Sequence, residues 1–253
     1  MKKETYGAVV LAAGKGKRMH SAVQKQFLML RGKPVIFYSL EQFEQCPFIN
    51  EIVLVTGEEE IDYCRKEIVE KFNFQKVKKI VAGGAERFLS VYNGLKACTC
   101  DFVYIHDGAR PFVDQAILER TREDVNRYGA CVAGMPVKDT IKISDGDGYA
   151  DVTPPRSRVW MVQTPQVFAY SCIKDAYDKL IAAGRMDVTD DAMVSPSGLF
   201  VTDNGDIYVA DRGATAVFVF TAAGERKLTI ERPDSKLFSE LSDYTPKKVV
   251  VTK

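Results

Sequence analysis

Lys15, Lys17, Arg18 and Lys25 lie close together near the start of the chain, just beyond and between Gly14 and Gly16. No carboxylate occurs from Thr5 to Leu40, and Arg31 and Lys33 bring the unopposed cations in that stretch to six. Glycines at Gly14 and Gly16 let the backbone turn freely, and backbone N–H groups in such a turn can cradle anionic oxygens. A cationic glycine loop with no balancing acid expects a polyanion. Two further clusters carry the same kind of chemistry: Gly83-Gly84-Ala85-Glu86-Arg87-Phe88-Leu89-Ser90 and His106-Asp107-Gly108-Ala109-Arg110-Pro111. Neither common phosphate fingerprint fits the first loop. A dinucleotide loop needs a third glycine where Met19 stands, and a P-loop needs Gly-Lys-Ser/Thr at that place.

These clusters must be held by the elements around them. Val9 to Leu11 is a short apolar run that reads as a buried strand ending at Gly14. Pro34 opens a helix over Val35 to Gln45 from the N1 position, with Ile36, Leu40 and Phe43 on one face. Glu51 to Thr56 reads as a strand, Glu58 to about Phe72 as a charged helix, and Lys79 to Ala82 as a third strand stopped by Gly83-Gly84. Helix Arg87 to Ala97, strand Phe102 to His106, helix Gln115 to Arg127 capped by Asp114, and strand Ala130 to Val137 follow. This alternation predicts an α/β fold with a doubly wound, mostly parallel sheet covered on both faces. Ligands of such sheets sit beyond the carboxyl ends of the strands, where all three clusters fall. Thr140 to Ile143 and Tyr149 to Val152 flank an Asp/Gly turn and predict a β-hairpin on an excursion spanning about 138–160. A two-stranded ribbon is marginal alone and is expected to lie against another subunit. Ser171 opens a helix to about Ala183.

Composition bounds the rest. With 253 residues, 46% apolar and 27% charged, the chain can bury one sizeable core. A net charge of +1 gives no global attraction to nucleic acid or to an anionic membrane, so the cationic loop faces a small ligand. The apolar run after Met1-Lys2-Lys3 is too short for an export signal, and a cytoplasmic location is expected. Six scattered cysteines read as reduced thiols, and Cys98-Thr99-Cys100 lacks a partner pair at zinc spacing.

Leu11-Ala12-Ala13-Gly14-Lys15-Gly16-Lys17-Arg18-Met19 followed by Lys25-Gln26 resembles the signature of sugar-phosphate nucleotidyltransferases. The Gly83 to Ser90 and His106 to Pro111 clusters, Pro136 to Lys142, and Arg156 to Gln166 with Thr189-Asp190-Asp191-Ala192 agree in order with one family within that group. From Tyr6 to about Val194 the chain is similar to the 2-C-methyl-D-erythritol 4-phosphate cytidylyltransferases of non-mevalonate isoprenoid synthesis. The resemblance implies a Rossmann-like nucleotidyltransferase core over 1–194, CTP and a polyol phosphate as substrates, Mg²⁺ as cofactor, pyrophosphate as product, and a homodimer joined through the β-arm. It implies that Arg18 and Lys25 hold the α-phosphate, that Ala12, Ala13, Gly84 and Ser90 contact the cytidine, and that the backbone from Gly14 to Gly16 cradles the outer phosphates. Asp107 would hold Mg²⁺ or the ribose, with the metal bound mainly through phosphates. Thr140 and Arg156 would cross from the neighbouring subunit to seat the acceptor phosphate.

Beyond Val194 the pattern departs. Ser195 to Gly224 resembles a single blade repeat of an NHL-type propeller, with Asp206 to Ala210 and Ala216 to Phe220 as two alternating strands that could add as a hairpin to the sheet edge. Lys227 stands near the place of the family's closing lysine, and Asp234 to Tyr244 is expected to form a last helix. Residues 195–253 are expected to pack on the same domain. Two alternatives remain open at the level of sequence: a ribitol-5-phosphate cytidylyltransferase, and a CTP-binding protein whose catalysis is impaired by the altered C-terminus.

Overall fold

The computed structural model describes residues 3–14, 23–145 and 148–182, together with the backbone of four strands between 196 and 230. In chain order the elements are β1 (Tyr6–Ala12), β2 (Met29–Leu30), β3 (Lys33–Pro34), α1 (Val35–Gln45), β4 (Ile49–Thr56), α2 (Ile61–Tyr63), β5 (Val77–Ala82), α3 (Arg87–Ala97), β6 (Phe102–Asp107), α4 (Gln115–Tyr128), β7 (Ala130–Pro136), β8 (Ile143–Ser144), β9 (Ala150–Val152), β10 (Trp160–Ala169) and α5 (Tyr170–Ala182). The helix expected from Glu58 begins as a 3₁₀ turn, passes through α2, and widens to a π-helix over Cys64–Glu70 with Cys64 and Ile68 buried.

Six strands form one sheet in the order β5-β4-β1-β6-β10-β7. β5, β4, β1 and β6 run parallel. Because successive strand residues point to opposite faces, β1 feeds two cores. Ala8 and Val10 pack with Ile36, Leu40, Phe43 and Leu118 on one face, while Val9 and Leu11 pack with Phe88, Val91, Leu95 and Tyr177 on the other. Helices therefore cover both faces, which makes the sheet doubly wound. Gly94 allows α3 to lie close, since a Cβ there would stand 2.4 Å from a methyl of Val9. Asp114 caps α4 by accepting the Ile117 N–H at 2.7 Å, as its position predicts. Pro34 stands at the N-cap of α1, one place before the expected N1.

Sequence reasoning gave no strand to β10, yet β10 pairs antiparallel with both β6 and β7. Its middle reads Gln163-Thr164-Pro165-Gln166, polar and interrupted by a proline that cannot donate to the ladder. Pairing with β7 accordingly shifts register between Val162 and Gln166. The arm hairpin is shorter than expected: β8 and β9 pair only around Ile143↔Val152, so Thr140 lies ahead of it.

Strands β11 (Pro196–Val201), β12 (Ile207–Asp211), β13 (Ala216–Phe220) and β14 (Arg226–Ile230) form an antiparallel meander of their own. The two strands expected here are thus the middle pair of four, and the set does not join the six-stranded sheet as an edge hairpin. β12 and β13 are paired on both sides within the meander, and β11 and β14 form its two edges. Four antiparallel strands are also what one propeller blade contains. No helix among the described residues is long and apolar enough to cross a membrane.

Candidate active site

The loops after β1, β5 and β6 meet at the carboxyl edge of the parallel strands. β1 ends at Ala12, and Gln26 lies fully buried below the turn that follows, its amide donating to the carbonyls of Ala12 and Gly14. Gln26 sits in a short 3₁₀ turn, Lys25–Phe27, which presents Lys25 on the exposed side while Gln26 and Phe27 face inward. No carboxylate or other partner among the described residues engages Lys25. Among the described residues, then, the exposed ammonium is left uncompensated.

The β5 loop touches the β1 loop directly. A Cβ at Gly83 would fall 2.5 Å from that of Ala13 and 2.8 Å from Ser90 Oγ, so only glycine fits where the two loops cross. Gly84 is equally confined, a Cβ there coming within 2.3 Å of Leu89. Ser90 is buried at the start of α3, where its hydroxyl accepts the Gly84 N–H at 3.0 Å and donates to the Glu86 carbonyl at 3.1 Å. The serine thus fixes the shape of the Gly83-Gly84 turn.

The β6 loop closes the third side. Gly108 N–H donates to the Leu11 carbonyl at 2.8 Å, and a Cβ at Gly108 would stand 3.0 Å from that oxygen. Asp107 receives Arg87 on Oδ1 at 3.1 Å and 3.2 Å and Arg110 on Oδ2 at 2.9 Å. Burial alone would raise the Asp107 pKa, but the Arg87 and Arg110 guanidiniums outweigh it and hold the carboxyl below its ordinary value. Asp107 is ionised at neutral pH. Behind it His106 is buried, one ring nitrogen against the Arg110 carbonyl at 3.1 Å and the other against Thr164 Oγ1 at 3.0 Å. Burial pushes its pKa down to about 4, so the ring is neutral. Gln163 of β10 accepts from Arg110, tying the antiparallel strand to the same loop.

Of the residues predicted from sequence, Ala12, Ala13, Gly14, Gly84, Ser90 and Asp107 come together here, with Lys25 on the adjoining 3₁₀ turn. Gly16, Arg18 and the Thr189-Ala192 motif lie outside the described residues. So does the helix expected from Asp234, and Lys227 is placed only as a backbone position in β14. Thr140 and Arg156 stand on the exposed arm, where Arg156 donates to the Lys138 carbonyl at 2.8 Å and so ties its two legs. Residues that help build the site although sequence reasoning assigned them no part in it include Gln26, Arg87, Arg110 and Thr164. Gln26 was signalled by its place beside Lys25 and Arg110 by the cluster that starts at His106. Thr164 lay inside the Arg156 to Gln166 motif, but its part in the site could not be assigned because β10 was not recognised as a strand.

A donor set for Mg²⁺ can be tested on this geometry. Asp107 is ionised, and although both oxygens accept from arginines, a carboxylate has about four lone-pair sites and keeps capacity for one more partner. Mg²⁺ commonly binds through one or two carboxylates plus substrate phosphates, and Asp107 fits that pattern.

The chain is similar to known proteins. The family model described as IspD, 2-C-methyl-D-erythritol 4-phosphate cytidylyltransferase, matches residues 7–201. A protein of that name from Lachnospira eligens is 52% identical over 189 residues, covering 74% of this chain and 83% of its own. Another from Clostridium acetobutylicum is 42% identical over 218 residues, covering 81% and 95%. The crystal structure of 4-diphosphocytidyl-2C-methyl-D-erythritol synthase from Anaerococcus prevotii superposes with a TM-score of 0.65 at 32% identity, covering 76% of this chain and 82% of that one. The chain belongs to the 2-C-methyl-D-erythritol 4-phosphate cytidylyltransferase family.

Proposed function

We propose that this enzyme transfers the cytidylyl group of CTP to 2-C-methyl-D-erythritol 4-phosphate, giving 4-diphosphocytidyl-2-C-methyl-D-erythritol and pyrophosphate. The observation that carries the reading is the meeting of three carboxyl-edge loops around the Gly83–Ala13 contact, beside an exposed Lys25, in a chain of this family.

The chemistry follows from the charges. A phosphate oxygen of the acceptor attacks the α-phosphorus of CTP. A new P–O bond forms, the bond from the α-phosphorus to the α,β-bridging oxygen breaks, and pyrophosphate leaves with that electron pair. Both reactants are anions, so catalysis consists of holding them in line and offsetting negative charge as it builds. Lys25, with Arg18, supplies cations at the α-phosphate. Gly14 and Gly16 offer backbone N–H groups to the β- and γ-phosphates. Ala12, Ala13, Gly84 and Ser90 shape the cytidine pocket, small side chains leaving room for the base. Asp107 would hold Mg²⁺ together with the phosphates, and the metal would neutralise charge on the triphosphate.

The acceptor is assigned to a second copy of the chain. Trp160, Met161 and Val162 at the base of the arm are 60%, 42% and 40% exposed, and Met135 on the paired strand is 45% exposed. Consecutive strand residues face opposite sides, so both faces of this ribbon lie uncovered. An exposed apolar ribbon of this kind favours a homodimer in which Thr140 and Arg156 reach the neighbouring site. Arg156 would grip the acceptor phosphate as a fork of paired N–H donors. The nucleotidyltransferase unit is taken as 1–194, with 195–253 as an appended segment.

Release of pyrophosphate from CTP and Mg²⁺ tests the reading. Turnover with 2-C-methyl-D-erythritol 4-phosphate and little with ribitol 5-phosphate is the expected result. Equal or greater turnover with ribitol 5-phosphate would reassign the acceptor, and CTP binding without turnover on either would reduce the chain to a nucleotide-binding module.

A further inference from the structure

The opposite edge of the sheet carries a second cluster that the transfer reaction does not use. Cys98 ends α3 and Cys100 precedes β6, so both lie at the amino end of the parallel strands, away from the three loops. Glu51, near the start of β4, reaches the same point from 47 residues away in sequence. The two sulfurs and a Glu51 carboxylate oxygen all lie within 4.8 Å of one another. Sequence reasoning set Cys98-Thr99-Cys100 aside because no second pair followed at zinc spacing. The third donor is supplied by a neighbouring strand.

The backbone beneath is shaped for this group. Gly7 of β1 pairs with Glu51, and a Cβ at Gly7 would stand 2.8 Å from Cys100 Sγ and 3.3 Å from Glu51 Cγ. The bare glycine is the floor on which both side chains rest. Thr99 orients the carboxylate, its N–H donating to Glu51 Oε1 at 2.6 Å and its hydroxyl lying 3.2 Å from both oxygens. A ligating carboxylate held by such a neighbour is the usual arrangement around a bound ion. Beside Cys100 opens a cleft of about 420 Å³ whose walls include Glu4, Asp101 and Tyr170. It reaches the cluster on the Cys100 side.

We propose that Cys98, Cys100 and Glu51 form a binding site for a thiophilic divalent cation, Zn²⁺ being the natural occupant by donor type. Two thiolates and a carboxylate suit a tetrahedral ion with one position left to water. Bonds of about 2.3 Å to sulfur and about 2.1 Å to oxygen require ligand atoms roughly 3.4–3.8 Å apart, which small side-chain rotations reach from the present spacing. Both thiols give up their protons as the ion binds. The site is separate from the Mg²⁺ position at Asp107, whose donors are oxygens.

The test uses the full chain without nucleotide, titrated with Co²⁺ as a spectroscopic probe and then with Zn²⁺. One Co²⁺ per chain, with an intense thiolate-to-cobalt charge-transfer band that Zn²⁺ abolishes by displacement, is expected. Glu51→Gln keeps both sulfurs, so it should keep the band at saturation and weaken Co²⁺ binding about tenfold. Cys98→Ser/Cys100→Ser should lose the band altogether, whereas Cys172→Ser should retain it. Zn²⁺ should raise the melting temperature of the wild type and leave the double variant unchanged. Absence of the band in the wild-type chain would overturn the proposal, as would its loss in Cys172→Ser or an unchanged affinity in Glu51→Gln.

Discussion

In β4, β1 and β6 the sheet is covered by the chain's own helices, and Val9, Val10, Val53, Leu54 and Val103 are wholly buried. In β7 and the first part of β10 the chain covers little: Val132, Met135, Trp160, Met161 and Val162 are each at least 40% exposed. The parallel half is finished within one chain and carries the nucleotide loops at its edge. The antiparallel half is unfinished alone, and its arm carries the residues assigned to the acceptor. On the proposed function, one sheet would divide the two substrates between a self-contained part and a part that a second copy completes.

The comparison can be broken most severely in the parallel half. Lys25→Ala should lower turnover by about 10² or more, since losing one preorganised cation costs about 3 kcal/mol of transition-state stabilisation. Its melting temperature should stay near that of the wild type, because Lys25 is exposed and its side chain has no partner among the described residues. Pyrophosphate release within a few-fold of wild type would remove Lys25 from the machinery.

The buried His106 ties the two halves together through Arg110 and Thr164. Its folded pKa of about 4 lies below the ordinary 6.5, so the unfolded chain takes up a proton first as pH falls. Stability is unaffected by this group above about pH 6.5 and declines between there and about pH 4, by about 3 kcal/mol in all. Urea unfolding at pH 7 and pH 5 should show the decline. A His106→Gln variant should show a flatter dependence over the same window, with Asp107 contributing its own loss only as pH falls through its lowered pKa.

Two smaller effects sharpen the division. Gly83→Ala pushes a methyl against Ala13 and Ser90, and should raise the KM for CTP about tenfold while leaving that for the acceptor nearly unchanged. Trp160→Ala removes apolar surface from the ribbon and should weaken dimerisation several-fold, worth about 1 kcal/mol, as read by light scattering on dilution. Its effect on KM should fall on the acceptor, the reverse of Gly83→Ala. If both variants shifted the same KM, the two halves would not serve separate substrates.

What could be read from the sequence follows the same division. Strands buried on both faces are short unbroken apolar runs, so β1, β4 and β6 could be located from runs such as Val9 to Leu11 and Ile52 to Val55, whereas the edge strand β5 was marked by Ile80 to Ala82 and the glycines after it. Helix α4 announced itself through the Asp114 cap, and α3 was placed after the Gly83-Gly84 stop of β5. β10 could not be seen, because Gln163 to Gln166 shows neither alternation nor an apolar run, and what places it is pairing with two strands distant in sequence. Gly83, Gly84 and Asp107 were legible as punctuation after strands. The roles of Gln26 and Thr164 were not, since each depends on a hydrogen bond to a residue that folding brings near. The Glu51–Cys98–Cys100 cluster was hidden for the same reason.

The most direct measurement is amide hydrogen exchange with and without CTP and Mg²⁺. If the nucleotide sits at the carboxyl edge, exchange should slow at Ala13, Gly14, Gly83, Gly84 and Gly108 and stay unchanged at Thr99 to Asp101 on the far edge. Protection confined to the far edge, or to the strands β11 to β14, would contradict the placement of the active site.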